Sequence, residues 1–283
     1  MVLGIKLLFR SLLVGVALFS VPLLNVSANS AKLEICLLEN NLPYSSRATQ
    51  SGFDYDVGKL LAKKLKRELV TVWSSNSRQI LEIESDFPLR RLIKGDCSLI
   101  LSVPGPEKKM GEGSAPEVTL GKPYYGAAFE VIFTTDGGQL SFRKLKGKRV
   151  AIMSQTVAHF ALNKVGASPV TYFSVEEALK GVVAGEADAA LLWGPTSGWT
   201  MSKFDASAEA NLIMTKRKPP AGLSWNIHFA SRAEDKAFRD EVSAGLQALQ
   251  ENGQLMSLMR KYALPRRGPF ESTHTPTTFL ELR

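Results

Sequence analysis

The side chains that could do chemistry are few and widely spaced in this sequence. Its three histidines, His159, His228 and His274, stand at no metal-ligand spacing from one another or from a cysteine. The sequence contains neither a glycine-flanked nucleophilic serine nor a glycine-rich phosphate loop. Glu39 is the best candidate for a carboxylate in a pocket, with a solvated loop residue as the alternative. We therefore expect a binding protein without catalytic residues, metal or cofactor.

Glu39 belongs to the stretch that organises the first part of the chain, Leu33 to Leu69. A short apolar run predicts a strand, and a polar loop holding Glu39 and Tyr44 follows it. Apolar residues at helical spacing then predict an amphipathic helix, and Ser51 with Asp54 three residues later is typical of a helix start. In an open α/β sheet, ligands bind beyond the carboxyl ends of the strands, so the loop is a candidate recognition loop.

A second α/β unit is predicted between residues 145 and 193, where strand and helix patterns alternate. Ser154, Gln155 and Thr156 end its first strand and begin its first helix. Free backbone N–H groups at a helix start favour an anionic or carbonyl group, and plain helix capping is the alternative. Further along, a strand and one or two closing helices, separated near Gly253, complete the pattern.

The first 28 residues indicate a secretion signal. Lys6 and Arg10 precede a nearly continuous apolar segment, and Val26-Ser27-Ala28 fits the small-residue rule for cleavage after Ala28. We therefore expect export to the periplasm, with a retained membrane anchor as the alternative. No later apolar run reaches spanning length, so no membrane anchor is expected after cleavage.

The charge of the chain favours no nucleic-acid partner. It holds 35 basic and 27 acidic residues, a formal net charge of +8, and loss of the two basic residues in the signal leaves +6. The basic residues are scattered and are not interleaved with aromatic residues as in a nucleic-acid groove. Solvated helix faces explain them, and a mild preference for an acidic protein partner is the alternative.

Export also bears on the two cysteines. Cys36 lies in the first predicted strand, and Cys97 precedes a later apolar run, 97–103, that is predicted to be a strand buried on both faces. An oxidising compartment allows the two to form a disulfide, and neighbouring strand ends of one sheet could bring them within bonding distance. Two buried free thiols are the alternative.

Five motifs occur in order along the chain: GFDYDV at 52–57, PEKK at 106–109, KPYY at 122–125, LKGKRVA at 145–151 and FASRAED at 229–235. Together they resemble the type II periplasmic solute-binding proteins, in particular the branch that includes amino-acid receptors. The resemblance covers residues 32–265. It implies two α/β lobes joined by two crossing strands near 127–133 and 223–229, with a ligand in the cleft and hinge closure over it.

We therefore expect an α/β, two-lobed type II periplasmic binding protein fold with two crossover strands. The predicted division is a signal peptide at 1–28, a first lobe at 29–128 that is completed by 224–264, a second lobe at 129–223, and an irregular tail at 265–283.

Two positions depart from the amino-acid receptors. Where those receptors hold the ligand carboxylate with an arginine, the corresponding residue is Lys108, which lacks the two-pronged guanidinium. Where they hold the ligand ammonium with an aspartate, this chain has Trp193, whose indole offers cation–π contact but no neutralising charge. Ordinary amino-acid capture is therefore not expected.

A narrower resemblance rests on four features: Trp193-Gly194-Pro195 with Gly198-Trp199, Cys36 with Cys97, the loop 39–45, and Val72-Trp73-Ser74. These resemble the quinoprotein dehydrogenase-associated periplasmic binding proteins of the MxaJ/XoxJ type. The resemblance implies a non-enzymatic periplasmic accessory protein of a PQQ-dependent methanol (alcohol) dehydrogenase. It would assist maturation or activation by binding the dehydrogenase, or a related small-molecule or peptide ligand. The alternative is an ABC-transporter receptor for a small polar solute.

The residues expected at the cleft stand at strand ends of both lobes. Tyr124 and Tyr125 are instead expected to pack in the hinge, and for Trp193 the alternative is to fill the core of its own lobe. The expected cleft residues are Glu39, Tyr44, Ser102 and Lys108 in the first lobe, and Ser154, Gln155, Thr156 and Trp193 in the second.

Overall fold

The computed structural model describes residues 1, 31–75, 88–105, 109–110, 117–204, 211–217, 219 and 222–271 of the 283-residue chain. Apart from Met1, the predicted secretion signal lies outside the described residues, as do Lys108 and His274. Within the described ranges, no helix has the length and apolar character needed to cross a membrane.

The first lobe alternates strands and helices before the chain crosses to the second. Two parallel strands, β1 and β4, pair along their whole length, and the helix α1 connects them. This helix covers β1, since a side-chain carbon at Gly58 would lie 2.6 Å from Ile35 Cδ1. The strand–loop–helix prediction for this stretch is confirmed. The elements are β1 (Lys32–Leu38), β2 (Asn40–Asn41), β3 (Ser45–Ser46), α1 (Phe53–Leu65), β4 (Glu68–Ser74), α2 (Pro88–Lys94), β5 (Ile100–Pro104), β6 (Lys109–Met110) and β7 (Val118–Leu120).

The second lobe has the predicted strand and helix alternation between residues 145 and 193. Its sheet has the order β10-β9-β11-β8, with β12 also paired to β8. The Ser174 hydroxyl caps α4 by accepting a hydrogen bond from the Glu177 N–H at 3.1 Å. One helix, α5, was not predicted. The elements are β8 (Tyr125–Thr134), β9 (Arg149–Met153), α3 (Ala158–Val165), β10 (Ser168–Tyr172), α4 (Val175–Val183), β11 (Ala189–Trp193), α5 (Gly194–Met201) and β12 (Leu212–Met214).

Two antiparallel strands, β8 and β13 (Ser224–Arg232), cross between the lobes. The later half of β8 pairs with β11 and β12, whereas the later half of β13 pairs with β5 and β7. Each crossing strand therefore belongs to both lobes. The helices α6 (Lys236–Glu251) and α7 (Gln254–Lys261), separated at Gly253 as predicted, pack against α1. The predicted boundaries stay a prediction, and "first lobe" and "second lobe" denote those ranges below.

Apolar side chains form separate cores in the two lobes. In the first lobe, β1, α1, β13 and the two closing helices bury their apolar faces together. In the second, helices cover both faces of the sheet and enclose one core on each side. Burial of these faces is the main source of stability and fixes where each strand ends. The strand ends in turn position the candidate site.

The start of α1 differs from the prediction. Its N-cap is Gly52, with a φ of 130° and no side-chain cap bond. The Gly52 N–H donates instead to the Tyr262 hydroxyl at 2.9 Å, and the Asp54 carboxylate turns towards another strand. A side-chain carbon at residue 52 would lie 2.3 Å from the Tyr44 carbonyl oxygen, so only glycine fits this approach. The predicted capping pair of Ser51 and Asp54 is therefore wrong.

The two cysteines form a disulfide. Cys36 in β1 is bonded to Cys97, with their Cα atoms 5.7 Å apart, as predicted over the alternative of free thiols. The run 97–103, however, is not a strand buried on both faces. The strand β5 begins only at Ile100, and of its five residues only Leu101 is buried, the others being partly or fully exposed.

Candidate functional site

Two of the predicted site residues meet across the space between the lobes. Trp193 ends β11 in the second lobe, and its indole Nε1–H donates a hydrogen bond to the Tyr44 hydroxyl of the first lobe at 2.9 Å. The indole also contacts Phe129 and Trp225 edge to face, with ring centroids 5.6 and 5.7 Å away. Trp193 thus packs against the core of the first lobe, not that of its own.

The backbone of its own loop holds Tyr44 in place. The Tyr44 N–H donates to the Asn41 carbonyl at 2.8 Å, and the Tyr44 carbonyl accepts from the Asp54 N–H at 2.9 Å. The Leu42–Pro43 peptide bond, which lies between Asn41 and Tyr44, is cis. These hydrogen bonds fasten the loop to the first turn of α1. The Tyr44 side chain, whose hydroxyl faces Trp193, therefore loses little conformational freedom when a partner binds.

Ser102, also predicted, is the centre of a buried polar cluster in the first lobe. Its φ of 54° is left-handed, an unusual conformation for serine that brings both its N–H and its hydroxyl to the same side chains. The N–H donates to the Tyr124 hydroxyl at 2.8 Å, and the Ser102 hydroxyl lies 3.0 Å from that of Tyr125. The same serine hydroxyl donates a short hydrogen bond to the Asp54 carboxylate.

This cluster has perturbed proton affinities because little water reaches it. Burial raises the pKa of Asp54 to about 7, and the Ser102 hydrogen bond opposes only part of that increase. Burial likewise raises the pKa of Tyr124 and Tyr125 well above 10. Near neutral pH the carboxyl is therefore only partly ionised and the phenols are neutral. The cluster is polar but weakly charged.

Sequence reasoning missed three members of this cluster. Tyr124 and Tyr125 do pack in the hinge, with ring centroids 5.0 Å apart, but their hydroxyl groups also bind Ser102. The sequence pattern places Asp54 at a helix start instead. A signal was available, because residues 54, 57 and 61 lie on one helical face and Val57 and Leu61 are fully buried. A carboxylate on that face predicts a buried polar contact.

The three predicted polar residues of the second lobe lie in a different place. Ser154, Gln155 and Thr156 line an open pocket of about 380 Å³ together with the exposed side chains of His159 and Phe160. None of Tyr44, Ser102 and Trp193 lines this pocket. The Thr156 hydroxyl donates back to the Met153 carbonyl at 2.9 Å, as a turn residue does. The structure thus divides the predicted site into two groups.

Of the remaining two predicted residues, only Glu39 lies within the described part of the chain. Glu39 is half-exposed and forms an ion pair with Arg47 of its own loop. Lys108 lies outside the described residues, so its position relative to the cleft stays a prediction. Among the described residues, no group of three or more His, Cys, Asp or Glu side chains is arranged to hold a metal ion.

Comparison with known proteins defines the fold. No protein-family model and no curated protein matches the chain. Among solved structures, the L-cystine solute receptor of Neisseria gonorrhoeae, in its unliganded open conformation, has 15% sequence identity and a TM-score of 0.65, over 83% of this chain and 94% of the receptor. The ancestral amino acid-binding protein AncCDT-1, a precursor of cyclohexadienyl dehydratase, has 22% identity and a TM-score of 0.54, over 82% and 95% of the two chains. The chain thus has the two-lobed type II periplasmic binding protein fold.

A third solved structure is MxaJ from Methlophaga aminisulfidivorans MPT. It has 21% sequence identity with this chain and a TM-score of 0.61, over 82% of this chain and 99% of MxaJ. The likeness is one of fold, and it fits the narrower resemblance to the MxaJ/XoxJ type.

Proposed function

We propose that the protein is a non-enzymatic periplasmic accessory protein of a PQQ-dependent methanol or alcohol dehydrogenase system. It would bind the dehydrogenase, or a ligand related to it, and assist its maturation or activation. The observation that carries the proposal is the hydrogen bond from Trp193 to Tyr44, which places an indole between the lobes. The MxaJ fold and the sequence features of that subgroup support the choice of partner.

The Trp193 contact weighs against ordinary amino-acid capture. A zwitterionic ligand that leaves water needs charged partners for both its ends, because burying an unpaired charge is costly. Here the aromatic side chains of Trp193, Phe129 and Trp225 contact one another at the expected place of the ammonium anchor. The Asp54 carboxyl is a poor substitute for that anchor, because it accepts a hydrogen bond from Ser102 and is only partly ionised near neutral pH.

A pull-down from the native host tests the proposal. Tagged mature protein, expressed in cells growing on methanol, is recovered and its bound proteins are identified by mass spectrometry. We expect the dehydrogenase to be recovered with the wild-type protein and in a changed amount with Trp193→Ala. Phe173→Ala is the control, since Phe173 is an exposed aromatic residue of the second lobe with no described contact with the Trp193 ring cluster. Recovery of a permease and a small metabolite without the dehydrogenase would overturn the proposal.

A solute receptor of an ABC transporter is the second candidate. The fold is that of the L-cystine receptor, and the open pocket at Ser154, Gln155 and Thr156 favours it. A thermal-shift screen against amino acids and small acids separates the two candidates. A ligand at 100 times its dissociation constant stabilises the folded state by about 2.7 kcal/mol. Stabilisation of that order by a single solute would support the receptor and contradict the accessory role.

A further inference from the structure

The residues that follow α7 also have a structural role. Ala263, whose φ of 53° is left-handed, follows this helix, and the residues after it contact both crossing strands. We call Leu264–Phe270 the strap. Leu264 is buried in the first-lobe core, so the strap is anchored at its start.

The first contact of the strap is a buried ion pair with β8. Arg267 donates two hydrogen bonds to Glu130 Oε1, at 2.8 Å from Nη2 and 3.1 Å from Nε. The Glu130 side chain is fully buried, and Leu192 of β11 lies opposite it in the sheet. The Arg267 guanidinium thus pairs with a carboxylate that is buried away from water, and separating such a pair is energetically costly.

The second contact is with the point where the crossing strands meet. The side-chain amide of Asn226 in β13 donates through Nδ2 to the Phe270 carbonyl at 3.1 Å and accepts through Oδ1 from the Phe270 N–H at 2.7 Å, so it satisfies both backbone groups of that residue. Gly126, the register partner of Asn226, donates its N–H to the Arg267 carbonyl at 3.2 Å. A side-chain carbon at Gly126 would lie 2.6 Å from the Gly268 carbonyl oxygen, so the strap lies directly on the strand.

The third contact is with α5 of the second lobe. A side-chain carbon at Gly194 would lie 3.0 Å from Pro265, and one at Gly198 would lie 2.0 Å from the carbonyl oxygen of Ala263. The Trp199 ring packs on that of Tyr262 in the first lobe, with centroids 5.9 Å apart. These small residues allow the end of α7 and the start of the strap to lie against the second lobe.

We infer that the strap is an intramolecular brace, lying on the two crossing strands, that keeps the two lobes in the arrangement in which Trp193 reaches Tyr44. Hinge opening rotates the lobes about their crossing strands. The strap is fixed to the first lobe at Leu264 and to the second through Glu130 and α5, so opening requires its release. The inference rests on these contacts alone and does not depend on the accessory role.

Distance measurements between the lobes test the inference. Spin labels on Lys64→Cys in α1 and Lys164→Cys in α3, both exposed positions, report the separation of the lobes by double electron–electron resonance. The two native cysteines are bonded to each other and take no label. Truncation after Leu264 leaves only the first, anchoring residue of the strap, whereas truncation after Glu271 keeps the whole strap and serves as the control. We expect a longer and broader distance distribution only for the shorter protein.

Two point variants keep the test decisive if the shorter protein fails to fold. Arg267→Met removes the ion pair, and Arg266→Met is its exposed neighbour and matched control. Gly126→Ala leaves the strap sequence unchanged but places a methyl group of β8 against the strap backbone at Gly268, which pushes the strap off the strand. We expect both Arg267→Met and Gly126→Ala to lengthen the distance, and Arg266→Met to leave it unchanged. Folded Arg267→Met and Gly126→Ala proteins with the wild-type distribution would overturn the inference.

Discussion

Replacing Asp54 by asparagine should remove part of the pH dependence of the stability of this protein. The Asp54 carboxyl has a pKa of 3.8 when exposed, and burial raises it to about 7 in the folded protein. Between these values the folded state binds the proton more tightly than the unfolded state. Asp54 therefore contributes stability that is fully present below pH 3.8 and is lost as the pH rises through 7. At about 1.4 kcal/mol per pKa unit, the loss amounts to at most about 4 kcal/mol.

Other buried carboxyl groups set the background for this effect. The pKa of Glu130 rises from 4.5 to about 7, because burial outweighs the opposing effect of Arg267, so its contribution is lost over an overlapping pH range. Hydrogen bonds and nearby cations lower the pKa of Asp56 despite its partial burial, and hydrogen bonds to Arg149 lower that of Asp188. The stabilisation from these two groups is present above pH 3.8 and is lost below it, outside the range of interest.

Urea unfolding between pH 4.5 and 8, followed by tryptophan fluorescence, measures the effect. We expect the wild-type free energy of unfolding to fall as the pH rises, and the Asp54→Asn protein to fall less steeply. Asparagine retains an oxygen that can accept the Ser102 hydrogen bond, so the contact itself is preserved. Glu130→Gln is the control, since it should remove the other contribution and leave that of Asp54. An Asp54→Asn protein with the wild-type slope would refute the assignment of a buried, proton-binding carboxyl.

Three further predictions concern stability. Trp193→Phe and Tyr44→Phe should each lower the free energy of unfolding by about 1 kcal/mol, because each removes the same hydrogen bond. The double variant should therefore lose little more than either single variant. Additive losses in a double-mutant cycle would contradict this. Gly52→Ala should cost about 2 kcal/mol or more in urea unfolding, because the new carbon would collide with the Tyr44 carbonyl; unchanged stability would show that the loop has room. Replacing Cys36 and Cys97 by alanine should lower the free energy of unfolding by about 4 kcal/mol on the chain-entropy account, because the bond closes a sequence separation of 61 residues; a loss below about 1 kcal/mol would contradict that account.

The first lobe shows what sequence reasoning could and could not predict about the site. The order of strands and helices follows from local apolar patterns, and the strand-end rule then names Tyr44, Ser102 and Trp193 as candidate site residues. It could not show that an indole from one lobe bonds a phenol from the other, because that contact joins residues 149 positions apart. Asp54 was missed for a similar reason. Its local sequence suits a helix cap, and only packing against β5 directs its carboxylate to Ser102.

The strap shows the same limit more clearly. The sequence predicts an irregular tail from Pro265 onwards, rich in proline and threonine, and residues 265–270 form no regular helix or strand. Composition says nothing about packing, however, and Arg267 looks no different from its exposed neighbour Arg266. The buried partner, Glu130, is equally hidden in a crossing strand that otherwise has an apolar pattern. A lone carboxylate in such a strand predicts a cation elsewhere in the fold, but not which one.

The strap and the Trp193 contact each join the two lobes, so both affect how a partner can bind. A partner that needs the open cleft binds with an affinity reduced by the fraction of molecules that are open. Releasing the strap with Arg267→Met should then tighten its binding, since opening no longer separates the Arg267–Glu130 pair. A partner that binds the outer surface of the form in which Trp193 contacts Tyr44 should bind more weakly, or equally well, after the same change. Titrating purified dehydrogenase against wild-type, Arg267→Met and Arg266→Met proteins by calorimetry separates the two modes. Tighter binding confined to Arg267→Met would place the recognition surface inside the cleft, beside Tyr44.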